Sequence, residues 1–144
     1  MTRQKAFWDA SALVPLCAGQ STTPQVIALS YRYDAVIWWA TPVELAAALA
    51  RLARMRILSS DEASQAQGLA KKLAEWWLVI EPSQALRTRA TEIVERYDLR
   101  AADSLQLAAA LEWCGDAPQT RVFLAADKRL REAALRSGFD AQQV

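Results

Sequence analysis

The chain has 144 residues, 53% of them hydrophobic, which fits one domain around one core and excludes a disordered tail or solvating linker. Its 17 Lys and Arg stand against 16 Asp and Glu, a net charge of +1. A protein that grips nucleic acid by bulk positive charge is excluded, so any such contact must be a local patch.

Ala6-Phe7-Trp8, ending at Asp9, reads as a buried first strand. Ser11 to Ala18 has helical spacing, with Gly19 as its stop and Pro15 expected to shorten it. Thr23-Pro24 opens a second helix through Val26, Ile27, Leu29 and Tyr33. Ala35 to Trp39 is β-branched and aromatic and predicts a second buried strand. Thr41-Pro42-Val43-Glu44 starts a helix to about Met55, with Thr41 as N-cap and Glu44 three residues on completing a capping box. Ser59 to Glu62 caps a longer helix to about Trp77. Leu78-Val79-Ile80 is a short third strand, and Pro82-Ser83 starts a helix to about Tyr97. After a break at Asp98-Leu99-Arg100, a helix covers Ala101 to Trp113 and stops at Gly115. Arg121 to Ala125 is a fourth strand, Asp127 to Arg136 a helix, and Phe139 to Val144 a possible edge strand. Strands apolar on both faces, alternating with helices, predict an α/β fold with a mainly parallel sheet covered on both sides.

The chain contains no histidine, which excludes His-based triads and His-ligated zinc. Cys17 and Cys114 sit in apolar helical contexts and predict a reduced chain without a disulfide framework. The basic start from Met1 to Lys5 runs into Asp9 too early for a signal peptide, and no apolar run is long enough to span a membrane. These features predict a soluble cytoplasmic protein.

In an open parallel sheet, ligands bind beyond the carboxyl ends of the strands. Asp9 ends strand one and Asp127 follows strand four. Glu44 lies in the first turn of the helix after strand two, and Asp103 in the first turn of the helix from Ala101. Each acid taken singly also reads as a helix cap or an offset to a helix dipole. Taken together, four carboxylates at one edge are costly without compensation. Oxygen ligands without His or Cys are what a hard divalent cation requires.

The local sequences are more specific than the acids. They are Phe7-Trp8-Asp9-Ala10-Ser11-Ala12-Leu13, Thr41-Pro42-Val43-Glu44-Leu45, Leu99-Arg100-Ala101-Ala102-Asp103-Ser104-Leu105-Gln106 and Phe123-Leu124-Ala125-Ala126-Asp127-Lys128-Arg129. In order, spacing and total length the chain resembles the PIN-domain nucleases, and within them the VapC-like toxins of type II toxin–antitoxin modules. The resemblance spans essentially the whole chain. It implies a single three-layer α/β/α PIN-like domain over residues 1–144, with a central sheet of four to five strands.

It further implies a metal-dependent endoribonuclease. Asp9, Glu44, Asp103 and Asp127 match the acidic quartet that holds Mg²⁺ or Mn²⁺, with Asp9 and Asp103 as central ligands. Ser11 matches a small hydroxyl residue that supports the metal, although a serine there is also a good helix cap. Ser104, beside Asp103, is expected to act at most from behind the ligands. The expected partners are RNA, a cognate antitoxin and a second copy of the chain.

Arg51, Arg54 and Arg56 follow the Glu44 helix, and Lys128, Arg129 and Arg131 follow Asp127. Either set could position an RNA backbone, or form a solvated helix face. Of the six tryptophans, Trp38 and Trp39 read as core, while one of Trp76 and Trp77 is expected to face outward at a protein interface. Two rival classes use similar sheets. Aspartate-nucleophile phosphatases need a second Asp where Ser11 stands; receiver domains need an acidic pair and a lone late-strand Lys, a poor fit here because Lys128 directly follows Asp127. A non-catalytic interaction protein on the same fold is the third alternative.

Overall fold

The computed structural model describes residues 3–144; Met1 and Thr2 of the basic start lie outside the described residues. The elements run β1 (Gln4–Trp8), α1 (Ala10–Cys17), α2 (Thr23–Arg32), β2 (Tyr33–Trp38), α3 (Thr41–Arg54) and α4 (Ser60–Ala74). They continue as β3 (Leu78–Ile80), α5 (Gln84–Arg96), α6 (Ala101–Trp113), β4 (Val122–Ala125), α7 (Lys128–Ser137) and β5 (Asp140–Gln143). The strands form one five-stranded sheet in the order β3-β2-β1-β4-β5, with every pairing parallel.

That order places the topological switch at β1. The chain builds outward from β1 to β2 and β3, then returns to lay β4 and β5 on the other side. The carboxyl ends of β1 and β4 therefore flank the crevice where such sheets bind ligands. Asp9 follows β1 directly, and its backbone N–H still donates to the Leu124 carbonyl of β4 at 3.0 Å.

Side chains alternate across the sheet and supply two cores. Phe7 stacks on its register neighbour Phe123, ring centroids 5.3 Å apart, on the face covered by α5, α6 and α7. Trp8, Ile37 and Leu124 point to the other face and pack with Leu13, Leu45 and Leu49 of α1 and α3. The sequence expectation of a three-layer arrangement holds, and the predicted edge strand is present as β5.

Several boundaries differ from the sequence reading. β1 starts at Gln4, and α2 passes straight into β2 at Tyr33. β2 stops at Trp38, so Trp39 lies in the following turn, 55% exposed, rather than in the core. α4 stops at Ala74; Trp76 is 84% exposed, and Trp77 is partly buried against the α1/α3 core. The capping box predicted for α3 does not form: Ala40 is the N-cap, and Thr41 lies inside the helix, fully buried. The box on α4 does form, with Ser59 Oγ accepting from Glu62 N–H at 3.1 Å and Glu62 Oε1 accepting from Ser59 N–H at 3.0 Å. Pro15 sits inside α1, which ends two residues later. Both cysteines are free. Among the described residues no helix is long and apolar enough to cross a membrane.

Candidate active site

Asp9, Glu44, Asp103 and Asp127 line one cleft of about 510 Å³ at the switch point. Each arrives by a different local rule. Asp9 leaves β1 as the N-cap of α1, accepting the Ser11 backbone N–H at 3.1 Å. Asp127 leaves the β4 side as the N-cap of α7, its Oδ1 accepting from Leu130 N–H at 2.9 Å. Glu44 and Asp103 stand in the first turns of α3 and α6. The capping reading and the site reading are thus compatible, since the caps hold two of the acids at the cleft.

The cleft concentrates negative charge in a partly dry place. Asp9 is 4% exposed, and burial above all raises its carboxyl pKa, against the lowering effect of its Ser11 bonds. Glu44 is pushed up to about 7 by burial first and then by the Asp9 charge. Asp103 is pushed up to about 6, again by burial first, then by Asp9 and Asp127, with Arg100 opposing. Asp9, Glu44 and Asp103 are each raised in part by the charge of another of these acids.

Ser11 ties the site together. Its hydroxyl donates to Asp9 Oδ2 and accepts the Ala126 backbone N–H at 3.0 Å. It therefore joins the end of β1 to the loop that carries Asp127. Ser104 does not line the cleft. It is buried, and its hydroxyl turns back to the Arg100 carbonyl at 3.1 Å.

Of the candidate cations, Arg51 lines the cleft and Arg54 does not. Lys128 and Arg129 line a hollow of about 170 Å³ that shares Asp103 and Asp127 with it. Both are highly exposed and paired loosely, Lys128 to Glu132 at 3.9 Å and Arg129 to Asp98 at 3.5 Å. Arg131 donates to the Ala126 carbonyl at 3.5 Å, and Arg56 is exposed at a left-handed turn. Two participants escaped the sequence reading. Arg100 lines both the cleft and the adjoining hollow. Gln106, fully buried on α6, donates to Glu44 Oε1 at 3.1 Å. Its only sequence signal is an amide inside an apolar helix, three residues after Asp103.

The donor chemistry fits a hard divalent cation: carboxylate oxygens, partly desolvated, with charge that burial and repulsion penalise. Among the described residues no three Asp, Glu or Cys side chains stand close enough to hold an ion as they are.

No family model and no curated protein matches the sequence. Solved structures do match the fold. A toxin–antitoxin complex from Klebsiella pneumoniae aligns at 20% identity and TM-score 0.61, over 87% of this chain and 89% of that one. The crystal structure of PAE2754 from Pyrobaculum aerophilum aligns at 22% identity and TM-score 0.68, over 98% and 90%. That of FitAcB from Neisseria gonorrhoeae aligns at 16% identity and TM-score 0.64, over 94% and 96%. The chain has the PIN-like fold. The similarity covers nearly the full length on both sides, as the motif resemblance implies.

Proposed function

We propose that this chain is a metal-dependent endoribonuclease, and the toxin of a toxin–antitoxin pair acting as a single PIN domain in the cytoplasm. The observation that carries the reading is the convergence of Asp9, Glu44, Asp103 and Asp127 on one cleft at the switch point of the sheet. Asp9 and Asp103 would be the central ligands of Mg²⁺ or Mn²⁺, with Glu44 and Asp127 completing the site directly or through water. Such an ion supplies activation of water and neutralisation of charge on the phosphate and the leaving oxygen.

The chain's own side chains do the rest. Ser11 holds Asp9 Oδ2 and the Ala126 loop, which orients Asp9 relative to Asp127. Arg51 and Arg100 line the cleft beside the acids and would bind RNA phosphates there. Lys128 and Arg129 would extend that contact over the adjoining hollow, exchanging weak surface pairs for phosphate. With no histidine present, a proton leaving water has carboxylates as its acceptors.

An antitoxin partner is supported by the toxin–antitoxin complex among the structural neighbours. Trp76, exposed just after α4, offers such a partner, or a second copy, an aromatic contact.

The test is cleavage of a mixed cellular RNA pool by the purified protein with Mg²⁺, Mn²⁺ or EDTA, with Asp103→Asn alongside. Discrete cuts that require metal and vanish in the variant support the reading. A well-folded chain that cuts nothing under either metal favours a non-catalytic interaction protein.

A further inference from the structure

We propose that Gln106 is a positioning residue that holds the Glu44 carboxylate in the cleft. Its kinetic consequence rests on the nuclease reading above; the contact itself does not.

Asp103 and Gln106 lie three residues apart on α6 and share a face of that helix. Asp103 reaches the cleft, while Gln106 is one turn deeper and fully buried. Its Nε2 donates to Thr41 Oγ1 at 3.0 Å and to Glu44 Oε1 at 3.1 Å. Both acceptors belong to the first turn of α3. These are the two residues that the sequence pairs with each other as a capping box. The structure instead gives both of them to the same amide.

The amide is a costly choice for the core. Its Oε1 is buried and meets no donor among the described residues. A leucine or methionine of similar volume would leave no such orphan. What the amide supplies is a pair of donors aimed at one turn of α3. Thr41, itself fully buried, occupies one Nε2 proton and so directs the other at Glu44.

Glu44 needs that restraint. The charges of Asp9 and Asp103 repel its carboxylate, and its flexible stem could carry it toward open water. One bond to Oε1 fixes the group and leaves Oε2 free of this contact. Gln106 touches neither substrate nor reacting atoms; it acts through Glu44.

Nuclear magnetic resonance of the metal-free chain reads the contact directly. The Gln106 side-chain amide protons are expected to exchange roughly ten-fold more slowly than those of exposed Gln65, and to shift in Glu44→Ala. Fast exchange, or no response to Glu44→Ala, overturns the proposal whether or not the chain cuts RNA. In the active protein, Gln106→Leu is expected to lower kcat about ten-fold with KM unchanged, and Mn²⁺ affinity by a similar factor. The affinity loss should disappear in a Glu44→Ala background. A loss that instead multiplies with that of Glu44→Ala indicates a structural role independent of Glu44 and overturns the proposal. Protected, Glu44-responsive amide protons in a chain that cuts no RNA would support the tether and count against the nuclease reading.

Discussion

Glu44→Gln should make the metal-free protein more stable at pH 8 and leave it unchanged at about pH 3.5. Glutamine keeps the shape of the side chain and an oxygen that can accept the Gln106 bond, so the substitution removes charge and little else. The Glu44 carboxyl is raised from 4.5 to about 7 in the folded chain, by burial and then by Asp9. Below about pH 4.5 it is protonated both folded and unfolded, and it contributes no difference. As pH rises toward 7 the unfolded chain ionises freely while the folded chain resists, so stability falls, and above 7 the loss is constant. At full weight that shift corresponds to about 3 kcal/mol. Glu44 is only half buried, and solvent screening reduces the effect to about 1 kcal/mol. For a chain of this size that is about 3 °C in Tm. Urea denaturation at about pH 3.5 and pH 8, with EDTA present, measures it. A gain in Glu44→Gln at pH 8 that vanishes at the acid pH is the predicted result. Equal or lower stability at pH 8, or a gain that persists undiminished at the acid pH, would refute the reasoning. Mn²⁺ at pH 8 should stabilise the wild type more than the variant, since ligand binding to the folded state adds to stability.

Ser11→Ala should lower cleavage by about ten-fold or more, as expected when a group orienting a ligand is lost, and should cost roughly 1–2 kcal/mol in urea denaturation because Ala126 N–H and Asp9 lose a partner. Phe123→Ala removes a fully buried ring stacked on Phe7 and should cost about 3–5 kcal/mol. Arg51→Ala and Arg100→Ala should each weaken RNA binding and reduce the slope of log affinity against log salt by roughly 0.7, with stability little changed; slopes equal to wild type would place the RNA elsewhere.

The acids were legible because each obeys a rule that is local in sequence. Asp9 ends an apolar strand, Asp127 caps a helix after one, and Glu44 and Asp103 sit in first turns. A parallel sheet then delivers strand ends to one edge without further information. Arg100 was not legible, because a lone arginine in a loop break carries no periodic signal. Gln106 was missed because its partners lie 65 and 62 residues away on another helix, a relation no local pattern encodes. Thr41 was misassigned as a cap. The turn at Trp39-Ala40 starts α3 one residue earlier, which moves the Thr41 hydroxyl inside, toward Gln106. Trp39 was misplaced in the core for the same reason: β2 ends before it.

The central claim is that the acidic cleft holds a divalent cation for RNA hydrolysis. Crystals grown with Mn²⁺ test it most directly, through anomalous scattering at the manganese absorption edge. The account predicts a peak inside the cleft, with carboxylate oxygens of Asp9 and Asp103 at about 2.0–2.5 Å, as oxygen ligands to such ions require. A cleft without a peak at saturating Mn²⁺, or a peak held by other residues, would contradict it.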